Sequence, residues 1–175
     1  MIATTGLARA LGCACLLLLL AACTTTNMDD AQPPPTNGAT NEPAPGFENI
    51  QPGSEEDFIL NVGRRTFFTQ GSATLDSVAK ATLDSQVAWL RKYPQWLVKL
   101  QGFSDDSGGT SQQVALSQKR ADAVMAYLAA GGVDPNRMWA KGYGKDRLVR
   151  DCPDTSCKVQ NRRVVTNLRN ERDEP

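Results

Sequence analysis

Between Thr24 and Asp57 the chain reads TTTNMDDAQPPPTNGATNEPAPGFENIQPGSEED, a run of Pro, Asn, Thr, Gly and acidic residues with hardly any large apolar side chain. Such a stretch cannot bury enough apolar surface to offset the entropy of ordering its backbone, so it predicts a disordered tether over 23–57. As a flexible coil it would span roughly 30 Å, and in polyproline geometry roughly 100 Å. Any core must therefore come from the residues beyond Asp57. That leaves one domain, expected over 58–169, and a short tail at 170–175.

Ahead of the tether, MIATTGLARALGCACLLLLLAAC has a short basic start at Arg9, an apolar run from Leu11 to Leu20 and then small residues. This reads as an export signal over 1–22, too short to span a bilayer comfortably. Its end, Leu20-Ala21-Ala22-Cys23, resembles the bacterial lipobox, in which the signal is cut before a cysteine that is then acylated. The resemblance implies lipidation of Cys23. Thr24 lacks the acidic character that retains such products at the inner membrane, so the implied destination is the outer membrane, facing the periplasm. Several acyl chains would hold firmly, each buried methylene contributing on the order of 0.8 kcal/mol.

Two cysteines, Cys152 and Cys157, remain in the folded part, and in an oxidising periplasm they are expected to form a disulfide around a small loop. As a metal pair they would be incomplete, because two sulfurs with no histidine do not fill a tetrahedral shell. The absence of histidine from the whole chain also removes Ser-His-Asp and Cys-His catalysis. Charge is balanced, with 19 basic and 19 acidic residues, which gives no electrostatic reason to expect nucleic acid. No cofactor and no metal are expected, and the chain reads as a non-enzyme.

Local patterns divide the domain. FILNV and RTFF, on either side of Gly63, read as short strands. Ala79, Leu83, Val87 and Leu90 recur at helical spacing until Pro94, which predicts a first helix from Ser77. QWLVKLQG alternates Trp96, Val98 and Leu100 with Lys99 and Gln101, a strand with one covered face. Ser111 to Ala130 carries Val114, Ser117, Ala121, Val124 and Leu128 on one stripe and stops at Gly131-Gly132, a second helix. RMWAKGYG and RRVVTNL read as closing strands, with a helical turn near CKVQN. The order β-α-β-α-β-(α)-β predicts an α+β sandwich, helices packed on one face of a mixed sheet. Trp89, Trp96 and Trp139 fall inside these patterns and read as core or sheet-surface packing.

Asp105 stands just past a strand on a loop flanked by Gly102, Gly108 and Gly109, and Arg120 lies fifteen residues on in the second helix. Composition alone leaves a plain salt bridge open. Asp106 reads as a solvated loop residue. However, GFSDDSGGTSQQVALSQKRADAV closely resembles the G-H-x-D-x-x-G-x-x-x-Y-N-x-x-L-[SG]-x-x-R-A-x-x-V pattern of the OmpA-like peptidoglycan-binding domain. NRRVV matches that family's closing strand. NVGRRTFFTQGSATL, AWLRKYPQ, GYGKDRLV and CPDTSC are similar to its lipid-anchored, Tol-associated branch.

The resemblance implies a non-catalytic link between outer membrane and cell wall, acting in envelope integrity and division. Diaminopimelate of the peptidoglycan stem peptide would be gripped by Asp105 at its ammonium and by Arg120 at its carboxylate. Phe68, Thr69 and Leu116 would wall the pocket, with Asn161 and Arg163 contributing from the last strand. TolB, a periplasmic β-propeller, and other Tol proteins would be partners. This sequence departs from the family pattern at Phe103, at Gln112-Gln113 and at Thr69, which opens an alternative: chiefly a protein-interaction module with a weakened wall pocket. A glycosidase would need two carboxylates facing across a bond, for which adjacent Asp105 and Asp106 are a poor pair.

Overall fold

The computed structural model of the chain describes residues 49–172. The export signal, the Cys23 lipidation position, the tether up to 48 and residues 173–175 lie outside the described residues.

Alternation along the strands decides which sheet face is covered. β2 (Leu97–Gly102) turns Val98 and Leu100 inward, both fully buried, and β4 (Arg163–Arg169) does the same with Val164, Thr166 and Leu168. With β1 (Arg65–Phe67) and β3 (Met138–Gly142) they form a four-stranded sheet in the order β1-β4-β2-β3. β4 runs antiparallel to both β1 and β2, while β2 and β3 are parallel, so the sheet is mixed. The expected α+β class holds.

α2 (Ser77–Lys92) starts where the Asp76 carboxylate accepts the Ala79 N–H at 2.8 Å, an N-cap of the usual kind. It buries Ala79, Leu83, Gln86, Trp89 and Leu90. α3 (Thr110–Ala130) buries Gln113, Ser117, Arg120, Ala121, Val124 and Leu128. The stripe expected on α3 thus differs at its start: Val114 is exposed and Gln113 points inward, because the first turn packs on a polar loop rather than on the core. Gly132 takes the positive φ that ends the helix.

α3 sits directly on the sheet because Gly102 and Gly142, paired across β2 and β3, offer no side chain there. A Cβ on Gly102 would overlap the Ser117 carbonyl, and one on Gly142 the Gln118 backbone. Gln118 and Ser117 then reach across to accept the Gly142 and Gly144 N–H groups at 2.7 and 2.9 Å. This close seat fixes the position of α3, and with it every side chain that α3 presents to the loops.

FILNV is not a strand. Ser54 caps a short helix, α1 (Glu55–Asp57), which continues as a π-helical turn at Phe58–Val62. Phe58 is fully buried against Trp89, ring centroids 4.9 Å apart. The chain is also fastened before Phe58, the expected start of the domain. The Asp57 carboxylate accepts from Gly53, Asn61 and Trp89, each at 2.8 Å, and Trp96 Nε1 donates to the Gly53 carbonyl at 2.9 Å. Ordered chain is thus present a few residues before Phe58, within the stretch whose composition predicts a tether.

A disulfide between Cys152 and Cys157, as expected, ties the first turn of α4 (Thr155–Asn161) to the loop before it, and α4 delivers Asn161 to the start of β4.

Candidate ligand-binding loop

Beyond Gly102 the backbone of β2 keeps its alternation for four more residues, and this sets the character of the loop. Ser104 and Asp106 follow Gly102 towards α3, while Phe103 and Asp105 turn to the other side. Ser104 Oγ donates to the Gln113 carbonyl at 2.9 Å. Gln113 returns the contact twice, its Oε1 accepting the Asp106 N–H and its Nε2 donating to the Asp106 carbonyl. Gln112 Oε1 accepts the Gly109 N–H at 3.1 Å, the returning half of a capping box at the start of α3. The Gln112-Gln113 departure from the family pattern is thus put to use in holding the loop.

Asp106 is buried, against the expectation of a solvated position. Its carboxylate accepts from Arg120 and from the Gly71 N–H. The loop turns inward at Asp106 because Arg120, fully buried, requires an anion. All five N–H donors of Arg120 are engaged: Nε to Ser72 O, Nη1 to Phe103 O and Asp106 Oδ2, Nη2 to Thr69 O and Asp106 Oδ1. The fork that was expected to meet a ligand carboxylate here meets Asp106.

Asp105 faces the opposite way and stays partly exposed. Its Oδ2 accepts from Asn161 Nδ2 at 2.8 Å, and the Lys145 ammonium lies 3.6 Å from its Oδ1. Asn161 is fully buried and its amide is saturated, donating also to Arg150 O and accepting the Val149 and Arg150 N–H groups. Asp105 and Asp106 point to opposite sides of the loop, so they do not face each other across a bond as a glycosidase pair must.

The other expected site residues are divided. Phe68, expected as a pocket wall, belongs to the core, its ring 5.4 Å from Arg120 Cζ. Thr69 is exposed and contributes its carbonyl to Arg120; Leu116 is half-buried on α3. Arg163 is nearly buried on the open sheet face, its guanidinium 4.1 Å from the centroid of the Phe103 ring, which itself stacks on Tyr143 at 5.6 Å. Sequence reasoning missed Asp106, Gln113 and Lys145. The period of two running on past Gly102 was the available signal for the first, and helical spacing from Ser117 and Arg120 for the second.

A carboxylate only 12% exposed, braced by a saturated amide on a loop bolted to a helix through a buried ion pair, gives this α+β sandwich a rigid, charged loop at the end of β2. The chain belongs to the OmpA family, whose model matches residues 67–162. Its relatives include the peptidoglycan-associated lipoprotein of Rhizobium meliloti, 45% identical over 67% of this chain and 66% of that protein. The Brucella melitensis protein of the same name is 43% identical over 67% of this chain and 70% of its own length. Among solved structures, the peptidoglycan-associated lipoprotein from Burkholderia pseudomallei matches with a TM-score of 0.62 at 28% identity, covering 66% of this chain and all of that one. The C-terminal domain of Helicobacter pylori MotB shares the fold, with a TM-score of 0.56 at 22% identity over 61% of this chain and 83% of its own.

Proposed function

We propose that this chain is a lipid-anchored protein of the outer membrane that binds peptidoglycan non-covalently through diaminopimelate. It would link membrane to wall, with TolB and other Tol proteins as its protein partners. The observation that carries this reading is the ammonium already beside Asp105. Lys145 approaches at 3.6 Å with half of its side chain in solvent, a weak and displaceable contact. A ligand ammonium can take the same place and add charge-assisted hydrogen bonds to a carboxylate that Asn161 already orients. The likeness to proteins named for association with peptidoglycan supports the choice of ligand.

In this reading Arg120 meets the ligand carboxylate only when the Thr69 and Ser72 carbonyls, which cover it, release their bonds. Saturation of all five donors favours a second role, in which Arg120 holds the loop and Asp105 alone touches the ligand.

Co-sedimentation with wall sacculi tests the function. Asp105→Asn keeps shape and the Asn161 contact while removing the charge, so bound protein should fall about tenfold or more. Retention equal to wild type would remove Asp105 from the site. Calorimetry against a diaminopimelate muropeptide separates wall binding from the interaction-module alternative, which predicts no heat while TolB binding persists.

A further inference from the structure

On the open face of the sheet, Arg65, Val149, Arg150, Gln160 and Arg163 line a cleft of about 220 Å³. Among the described residues no carboxylate pairs with any of its three guanidinium groups. Arg163 is only 5% exposed, yet neutral groups alone hold it: Nη1 donates to the Asn161 carbonyl at 3.4 Å, Nη2 to the Arg147 carbonyl at 3.2 Å, and its face rests on Phe103. Its Nε has no partner. Burial first, and the like charge of Arg65 second, push its pKa below the usual arginine value. A cation desolvated in this way without a counterion favours any anion that reaches it. Arg65 and Arg150 stand exposed at the rim, and among the described residues their side chains make no hydrogen bond.

We propose that this cleft is a second subsite, taking carboxylates of the same wall peptide whose ammonium meets Asp105; it rests on the function proposed above. One side chain joins the two places. Asn161 donates to Asp105 on one side and accepts the Val149 and Arg150 N–H groups of the cleft wall on the other. A short peptide carrying an ammonium and several carboxylates is the ligand whose charges match both. Planar guanidinium groups suit carboxylates through paired N–H contacts, and Val149, 46% exposed, offers the aliphatic part of such a peptide an apolar edge.

Calorimetry on the full chain tests this with two probes: a soluble diaminopimelate muropeptide with free carboxylates, and the same peptide with its carboxylates amidated. Arg65→Glu combined with Arg150→Glu alters two exposed side chains that hold nothing in the fold. The double variant should weaken binding of the free-carboxylate peptide about tenfold and leave the amidated peptide within about twofold of wild type. Equal loss for both peptides, or no loss for either, overturns the subsite. If the double variant binds as wild type while Asp105→Asn does not, the subsite fails and the proposed function stands. If wild type binds neither peptide, both fail.

Discussion

Arg120 and Asp106 form a two-point ion pair shut away from solvent, with Nη1 2.8 Å from Oδ2, Nη2 3.3 Å from Oδ1, and side-chain exposures of 0% and 3%. Its worth shows most clearly when one partner is removed. Asp106→Ala leaves a buried guanidinium with two donors unmet and frees the Gly71 N–H, so chemical denaturation should show a loss of about 3–5 kcal/mol. Asp105→Ala leaves one Asn161 N–H unmet and removes only a weak contact with the half-exposed Lys145 ammonium, so it should cost less. A reversed order would mean that the loop is held from the Asp105 side.

The seat of α3 on the sheet yields a second expectation. Gly102→Ala drives a methyl group into the Ser117 carbonyl, and neither helix backbone nor strand can yield cheaply. Overpacking of this kind costs about 1–3 kcal/mol, and the melting temperature should fall accordingly. Gly109→Ala meets open space and makes the fitting control.

Acid should loosen the N-terminal clasp first. Burial raises the Asp57 pKa, but hydrogen bonds from Asn61, Gly53 and Trp89 and the charge of Lys92 outweigh it and leave the carboxyl below its usual value. A depressed pKa in the fold means stability present above the unfolded value and lost as pH falls through the folded one, so the window lies below about pH 4. Tryptophan fluorescence, reporting on Trp89 and Trp96, should change in that window. Asp57→Asn should flatten the dependence of melting temperature on pH there; an unchanged profile would clear Asp57 of the role.

Much of this architecture was legible from the sequence because period is a strong signal where one face is covered. Val98 and Leu100 announced β2, and Leu83, Val87 and Leu90 announced α2. FILNV misled because five mostly apolar residues fit a strand or a helical turn equally. The Ser54 cap with three acidic residues after it was the better guide. The loop was harder. Asp105 and Asp106 are identical in composition, and the family likeness marks the first, whereas only the strand's parity, carried beyond its last ladder bond, sends the second under α3. Arg163 sits on the last strand as expected, but which face it takes depends on the register of β4 against β1, a long-range fact.

Reduction of the Cys152–Cys157 bridge should have a modest effect on the whole molecule and a larger one locally. The bridge closes a loop with a sequence separation of 5, for which the chain-entropy account gives about 2 kcal/mol. Hydrogen exchange should quicken in α4 and in the segment around Val149 while β2 stays protected.

Asn161 is where loop, cleft and closing strand meet, and its amide uses both donors and both lone pairs. Asn161→Ala unpairs the Val149 and Arg150 N–H groups and removes the brace on Asp105, so about 1–3 kcal/mol of stability should go, along with muropeptide affinity. Asn161→Asp separates the two consequences. The carboxylate still accepts the two backbone N–H groups, but it no longer donates to the Arg150 carbonyl and it sets a negative charge against Asp105, repelling it from its present position. Near neutral pH this variant should fold nearly as well as Asn161→Ala or better, yet bind the muropeptide differently from both Asn161→Ala and wild type. Calorimetry across pH 5–8 would follow that difference, and identical binding by all three proteins would show that Asp105 needs no brace.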